Sequence, residues 1–289
     1  MEIGIMLSVA VGDHPGQEHL TPDEQLKKAK AVGVNNVQLG CPPDEFLAGD
    51  GFMSLKKRIE ESGIRVTTVF CGFEGESYAD IPTVKQTVGY VPEETRAERI
   101  EKTYAISEFA KGLGVDAVAA HIGFIPHDEE DPLFQAMVET MRKIADYCAQ
   151  NGQVFSLETG QETGEALLHF LKAVDRQNLK VNFDPANMIL YGCGEPIAAM
   201  ETVKEHIVSV HAKDASWSEH PGETWGTETP LGEGDVGMDR FVDKLKQIGF
   251  DGYITIEREI AGPEQIEDMK KGVALLRSLV EDGKERKGK

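Results

Sequence analysis

Hydrophobic and polar positions follow two alternating periods along most of the chain. Amphipathic segments, with apolar residues three or four positions apart, end at a glycine, and a short β-rich run begins within a few residues. Gly33, Gly63, Gly114, Gly152 and Gly249 occupy this position. Because glycine adopts the left-handed conformation at least cost, the pattern predicts helices that end at these five residues.

Eight strand-like runs are predicted, at 3–8, 35–39, 65–71, 116–121, 153–158, 179–184, 207–212 and 252–257. Helical patterns separate them, from a first helix with a capping box at 21–24 to a last helix beginning near Pro263. Longer loops are predicted at 72–92 and 213–237. Strand followed by helix eight times over predicts a parallel sheet closed as a (β/α)8 barrel, an α/β fold.

A doubly wound open sheet is the competing architecture. No G-x-G-x-x-G motif follows the first strand, which weakens that alternative. The sequence contains no linker, so we expect one barrel domain over residues 1–280 and a flexible C-terminal tail over 281–289.

Charge and composition narrow the range of functions. The 289 residues carry a formal net charge of −20, which argues against nucleic acid as a partner. No apolar run approaches the roughly 20 residues that cross a bilayer, and the start of the chain does not resemble a signal peptide, so we expect a cytoplasmic protein without membrane contact. The four cysteines lack paired metal-ligand spacing and are expected to be reduced thiols.

Five consecutive predicted strands end on a potential metal ligand or proton carrier: His121, Glu158, Asp184, His211 and Glu257. Barrels of this type carry their chemistry at the carboxyl ends of the strands. Side chains alternate between the two faces of a strand, so these polar residues are expected to converge on the barrel axis while larger apolar residues face the helices.

Three carboxylates and one imidazole that converge on one mouth repel one another unless a cation or protons neutralise them. Glu158, Asp184, His211 and Glu257 therefore predict a site for one divalent ion such as Mn²⁺, Mg²⁺, Co²⁺ or Zn²⁺. The alternative is an unrelated set of capping and ion-pair residues, since aspartate before proline is also ordinary turn chemistry.

These four residues, with "HAKD" (211–214) and "LGEGDV" (231–236), resemble the sugar phosphate isomerase/epimerase family. That family consists of xylose-isomerase-like TIM barrels and includes ketose 3-epimerases, hydroxypyruvate isomerases and inosose dehydratases. The resemblance implies one metal ion, with Mn²⁺ as first candidate. It also implies that Glu158 and Glu257 bind the metal and exchange protons through a metal-stabilised enediolate.

His121, Asn187 and Lys213 are the predicted substrate-binding residues. Ketose 3-epimerases commonly carry a histidine three residues after the aspartate, and this chain has Asn187 there, which leaves room for another reaction. A packed, backbone-bonded role is the alternative for His121, and an outward ion pair is the alternative for Lys213.

Three features of the 213–237 loop allow more than one interpretation. Asp214 holds a second ion or, as is more common, caps the loop. The "LGEGDVG" stretch offers backbone amides to a phosphate or is a flexible connection. Trp217 and Trp225 form a wall over a sugar or pack against another subunit.

The leading hypothesis is a metal-dependent sugar isomerase or epimerase that removes a proton next to a carbonyl. A metal-dependent dehydratase or lyase acting on a keto-sugar, keto-inositol or oxidised glycoside is the alternative. A nuclease like endonuclease IV and a non-catalytic sugar-binding barrel fit less well. The expected partner is a small-molecule sugar, and a homo-oligomer is possible by resemblance.

Overall fold

Eight parallel strands form a closed barrel in the computed structural model, which describes residues 1–8 and 20–286. Around the barrel the strands follow the order β1-β10-β7-β6-β5-β4-β3-β2, and a separate pair, β8 and β9, is antiparallel. The strands are β1 (Glu2–Leu7), β2 (Asn36–Leu39), β3 (Arg65–Phe70), β4 (Ala117–Ala120), β5 (Val154–Glu158), β6 (Leu179–Phe183), β7 (Ile207–Ala212), β8 (Asp214–Ser216), β9 (Thr227–Thr229) and β10 (Tyr253–Ile256). The predicted (β/α)8 barrel is confirmed, and the open sheet is wrong.

Helices surround the barrel, and the first and the last begin where the sequence predicts, while a short helix lies inside the loop predicted at 72–92. They are α1 (Pro22–Val32), α2 (Asp44–Leu47), α3 (Gly49–Ser62), α4 (Ile81–Thr87), α5 (Glu93–Leu113), α6 (Pro132–Gln150), α7 (Gly164–Val174), α8 (Pro185–Tyr191), α9 (Pro196–Val203), α10 (Met238–Gln247) and α11 (Pro263–Arg286). The last helix continues past the boundary predicted at residue 280, and residues 287–289 lie outside the described residues. Within the described residues, no helix has both the length and the apolar character needed to cross a membrane.

Local signals at the helix ends behave as the sequence predicts. Thr21 and Glu24 form a reciprocal capping box at the start of α1. The five predicted glycines all have a left-handed backbone, with φ between 68° and 88°. At these positions a residue with a Cβ would be strained, which explains why each helix stops where it does.

Polar side chains fill part of the barrel interior beneath the strand ends. Apolar strand residues such as Phe155, Leu157 and Val210 are buried in the main hydrophobic core. Gln38 of β2 nevertheless contacts Asn182 of β6, and these two strands are not neighbours. The contact therefore crosses the barrel interior, so the alternation of the strands sends polar residues inward.

Candidate active site

The four predicted metal ligands lie together at one mouth of the barrel. Glu158, Asp184, His211 and Glu257 each offer one ligand atom, and these atoms all lie within 4.8 Å of one another. They come from β5, β6, β7 and β10 or from the residue that follows, and these four strands are adjacent in the barrel. The set therefore occupies one side of the mouth.

Asp184 both ends its strand and faces the cluster. Its Oδ1 accepts a hydrogen bond from the Asn187 backbone N–H at 2.9 Å and so caps α8, which has Pro185 in its first turn. Its Oδ2 lies 3.3 Å from Nδ1 of His211. The Thr159 hydroxyl accepts from the Asp184 N–H at 2.7 Å and donates to its carbonyl at 2.9 Å. Capping and ligation are thus compatible roles for one carboxylate.

His211 occupies the centre of the cluster. Its Nδ1 lies 2.8 Å from Glu158 Oε1, 3.3 Å from Asp184 Oδ2 and 3.4 Å from Glu257 Oε2. The side chain is completely buried, and its ring stacks on Phe70 with 5.4 Å between centroids. One nitrogen surrounded by three carboxylate oxygens is an electrostatically unstable arrangement unless a positive charge lies among them.

Electrostatics keep Glu158 and Glu257 ionised. Burial raises the pKa of Glu158, but the charges of His121 and His211 outweigh it and the pKa falls to about 2. Burial also opposes ionisation of Glu257, yet Lys213 and His211 hold the pKa of that carboxyl well below its usual value. The pKa of His211 rises well above its usual value because the carboxylates of Glu257 and Glu158 overcome the effect of burial. The carboxylates of Glu158 and Glu257 are therefore available as ligands.

This donor set fits a divalent cation. A cation placed among these atoms would supply the positive charge that the three carboxylate oxygens require. Carboxylate oxygens together with one imidazole nitrogen suit ions such as Mn²⁺, Mg²⁺ and Zn²⁺. Glu158, Asp184, His211 and Glu257 are consequently the residues that could hold such an ion.

The three predicted substrate-binding residues surround the cluster. His121 Nε2 lies 2.8 Å from Glu158 Oε2. Asn187 Nδ2 donates to Glu158 Oε1 at 3.4 Å, and its Oδ1 accepts from Lys213 Nζ at 3.2 Å. Their contact with a substrate stays a prediction, but the structure brings all three into the same mouth.

Lys213 lies inside the mouth and does not point outward. Its side chain is 1% exposed, and Nζ lies 3.0 Å from both Glu257 Oε2 and Glu259 Oε1. Burial lowers the pKa of Lys213, but these two carboxylates raise it well above the usual value, so the amine stays charged. Glu259 is a residue of this network that the sequence analysis did not single out.

The Asp214 carboxylate organises the loop after β7. It accepts hydrogen bonds from the backbone N–H groups of Gly232, Gly234, Val236 and Ala215 at 2.9 to 3.2 Å. Capping is therefore the observed role of Asp214. The amides of the "LGEGDVG" stretch that donate to it are not available to a phosphate, and the stretch is held in place by these bonds.

The two tryptophans of this loop differ. Trp225 packs against Tyr191, with ring centroids 4.6 Å apart, and belongs to the edge of the core. Trp217 is 38% exposed, and its backbone N–H donates to Asp235 Oδ2. Of these two tryptophans, Trp217 is the one that presents a large apolar surface to solvent.

The sequence did not reveal a row of hydrogen-bonded polar side chains beneath the cluster. His211 Nε2 lies 2.7 Å from Gln38 Oε1, and Gln38 Nε2 donates to Asn182 Oδ1 at 3.1 Å. Ser209 Oγ donates to the same Asn182 oxygen. The signal was present in β2, where Asn36 and Gln38 alternate with apolar residues in a strand buried along its whole length.

Comparisons with known proteins agree with this geometry. A family model described as "Xylose isomerase-like TIM barrel" matches residues 26–279. The crystal structure of a xylose isomerase domain protein from Planctomyces limnophilus is similar, with 41% identity, a TM-score of 0.89 and 96% coverage of each chain.

More distant similarities extend across the family. A structure described as a D-tagatose 3-epimerase-like protein shares the fold at 20% identity, with a TM-score of 0.74 and 99% coverage of each chain. An uncharacterized protein, MJ1311, from Methanocaldococcus jannaschii is 27% identical over 187 residues. This match covers 60% of the present chain and 59% of MJ1311, so the chain spans less than two thirds of that relative.

Proposed function

The chain belongs to the xylose isomerase-like TIM-barrel family, and from this premise we propose that it is a metal-dependent sugar isomerase or epimerase. The observation that carries the proposal is the cluster of three carboxylates and one imidazole at the barrel mouth. Barrels of this architecture carry their active sites at this end of the strands. The D-tagatose 3-epimerase-like neighbour supports the reaction class. A cytoplasmic location and a homo-oligomeric state are retained as further proposals.

We propose Glu158, Asp184, His211 and Glu257 as ligands of one divalent ion, with Mn²⁺ as first candidate. When bound, such an ion polarises a substrate carbonyl and makes the neighbouring C–H bond more acidic. Glu158 and Glu257 are the proposed proton carriers. They approach His211 Nδ1 from β5 and β10, two strands separated in the barrel by β6 and β7. A proton removed by one carboxylate and returned by the other inverts the carbon between them.

Elimination is the second candidate reaction, and Asn187 is the residue that leaves room for it. Its amide is engaged with Lys213 and Glu158 and can hydrogen-bond a hydroxyl, but it cannot supply a charge or act as an acid, unlike the histidine common at this position in ketose 3-epimerases. The same initial deprotonation serves both reactions, which differ in whether the β-substituent leaves.

The charges at the mouth favour an uncharged sugar over a phosphorylated one. In the described segments between each barrel strand and the next helix, Lys213 and Arg258 are the only lysine or arginine residues, and residues 9–19 contain neither. Lys213 is paired with two glutamates, and Arg258 with Glu228 and Asp268. A phosphate dianion is bound best by unpaired cations, and these segments contain no lysine or arginine besides these two paired residues.

The test is a screen of free and phosphorylated keto-sugars in D₂O with the Mn²⁺-loaded protein. A product isomer that has gained one deuterium on the carbon next to the carbonyl supports the proposal, whereas loss of water supports elimination. Metal analysis of wild type and Asp184→Ala accompanies the screen. About one ion per chain in wild type and a loss of at least about tenfold in affinity in the variant are expected. Absence of metal from wild type after soaking with Mn²⁺ would contradict the metal centre.

A further inference from the structure

His211 has a defined neighbour at each ring nitrogen. Nδ1 faces the carboxylate cluster, while Nε2 lies 2.7 Å from Gln38 Oε1 on the opposite side of the barrel. The ring is fully buried and stacked on Phe70, so it cannot exchange these neighbours by rotating into solvent. Whether Nδ1 can serve as a ligand therefore depends on where the imidazole proton resides.

The neighbours of Gln38 define the direction of its amide. Asn182 Oδ1 accepts from Ser209 Oγ and also from Gln38 Nε2 at 3.1 Å. With its NH₂ group directed at Asn182, Gln38 presents its carbonyl oxygen to His211. A carbonyl oxygen only accepts hydrogen bonds, so the nitrogen opposite it must carry a proton.

We propose that Gln38 is a positioning residue that fixes the tautomer of His211. A neutral imidazole carries one N–H, and a proton held on Nε2 by Gln38 leaves the lone pair on Nδ1. Nδ1 is the nitrogen that faces Glu158, Asp184 and Glu257. Gln38 thus directs the lone pair into the ligand set from a strand that supplies no ligand of its own.

Reversing the direction of these hydrogen bonds has the opposite consequence. If the Gln38 NH₂ group donated to Nε2, the single proton of the neutral ring would reside on Nδ1. That proton would remove His211 from the ligand set and leave three carboxylates. Residues that orient a metal-bound histidine typically change metal affinity about 10–100-fold when they are substituted.

The test compares two substitutions at Gln38 that differ in one property. Gln38→Met keeps the length of the side chain but lacks an acceptor, whereas Gln38→Glu retains an acceptor oxygen. Ser156→Ala is the matched control because Ser156 is also fully buried in the barrel strands and its hydroxyl has no protein partner. Circular dichroism and thermal unfolding establish that each variant is folded.

Two readouts are independent of turnover. The first is ¹H–¹⁵N NMR of the histidine rings in Mg²⁺-bound protein, which reports the protonation of each nitrogen. The second is the Kd for Mn²⁺ measured by calorimetry. We expect a protonated Nε2 in wild type and in Gln38→Glu, with Kd values within about tenfold of each other. In Gln38→Met the Kd is expected to rise about 10–100-fold, while Ser156→Ala binds as wild type does.

Two results would overturn the role of Gln38 without affecting the metal centre. One is wild-type protein with an unprotonated Nε2, and the other is Gln38→Met that binds Mn²⁺ as tightly as wild type. If Gln38→Met fails to fold, the NMR spectra of wild type and Gln38→Glu still decide the tautomer. Wild type that binds no divalent ion would instead contradict the proposed function, and the positioning role with it.

Discussion

The two halves of the barrel mouth are built differently. The ligand half, formed by β5, β6, β7 and β10, carries the carboxylates and His211. The open half, formed by β1, β2, β3 and β4, contributes Gly40, Cys41 and Cys71 just beyond its strand ends, and His121 as its one described histidine at a strand end. His121 itself reaches toward the ligand half, where it contacts Glu158.

The halves also differ in how their side chains are held. In the ligand half, Asp214 holds the backbone, but other charged groups hold one another, as Lys213 does between Glu257 and Glu259. In the open half, charged groups hold the backbone. Glu76 accepts from the N–H groups of Phe73 and Gly89, and Arg99 donates to carbonyls of the same loop. The difference suggests that one half fixes charges for chemistry while the other shapes the space beside them.

Of the substitutions considered, Glu257→Gln in the ligand half should cause the largest loss of turnover. Glutamine preserves the shape of the side chain but cannot accept a proton from a C–H bond. General acid–base groups typically contribute about 10²–10⁴-fold to rate, so kcat is expected to fall by that amount. Steady-state turnover and calorimetric binding of the same keto-sugar measure the two effects separately, and binding should be largely preserved.

Glu259→Gln provides the matched control for this substitution. Glu259 contacts the same Lys213 nitrogen at the same 3.0 Å distance but does not belong to the ligand cluster. We expect its loss of turnover to be far smaller. Equal turnover in the two variants would remove Glu257 from the proposed acid–base pair.

The sequence was most informative about the ligand half. Strand ends follow from the alternating pattern and from the glycines that end the helices, and five of those ends carry an ionisable residue. Once eight strands are closed in a barrel, residues such as Glu158 and Asp184 must meet at one mouth. Local periodicity therefore predicted both the fold and the convergence of these side chains.

Partners that lie far apart in sequence could not be predicted in the same way. Gln38 and His211 are 173 positions apart, and no local pattern specifies that their side chains meet across the barrel. The roles of Asp214 and Glu76 likewise depend on which backbone N–H groups each carboxylate reaches. Periodicity indicates that a side chain is buried, whereas its hydrogen-bond partner is set by tertiary packing.

The border between the halves provides a prediction about pH. Glu162 follows β5 in the ligand half, and its Oε1 accepts from the Ile125 N–H at 2.6 Å in the loop after β4. Its Oε2 lies 3.0 Å from His127 Nε2. Burial raises the pKa of Glu162 to about 7, because the hydrogen bonds from Ile125 and His127 offset burial only in part.

A raised carboxyl pKa means that the folded state binds the proton more tightly than the unfolded state. The resulting stabilisation is complete below the unfolded pKa of 4.5 and is lost as pH rises through about 7. One pKa unit corresponds to about 1.4 kcal/mol, so the whole shift of the Glu162 pKa corresponds to about 3.5 kcal/mol, and the free energy of unfolding should fall by about 2–3 kcal/mol between pH 5 and pH 8 from Glu162 alone.

Glu162→Gln isolates this contribution, because glutamine resembles the protonated carboxyl and does not titrate. Urea unfolding at pH 5 and pH 8 should show wild type losing about 2–3 kcal/mol more than the variant between the two conditions. The exposed Glu219→Gln serves as control and should follow wild type. Parallel pH profiles for wild type and Glu162→Gln would show that the carboxyl is already ionised at pH 5.

Substitution of Tyr78 in the open half should have the smallest effect, a change in KM without a change in metal affinity. It lies in the loop after β3, is 40% exposed, and packs edge-on against His121 with 6.1 Å between centroids. An aromatic face beside a sugar contributes about 1 kcal/mol, so Tyr78→Ala should raise KM about five- to tenfold. Tyr78→Phe retains the ring and should stay near wild type, as should Met53→Ala, an exposed apolar control on α3.

Because Tyr78 supplies no ligand, the Kd for Mn²⁺ should be unchanged in all three variants. A Tyr78→Ala variant that lost metal affinity would show that the open half supports the ligands as well as the substrate.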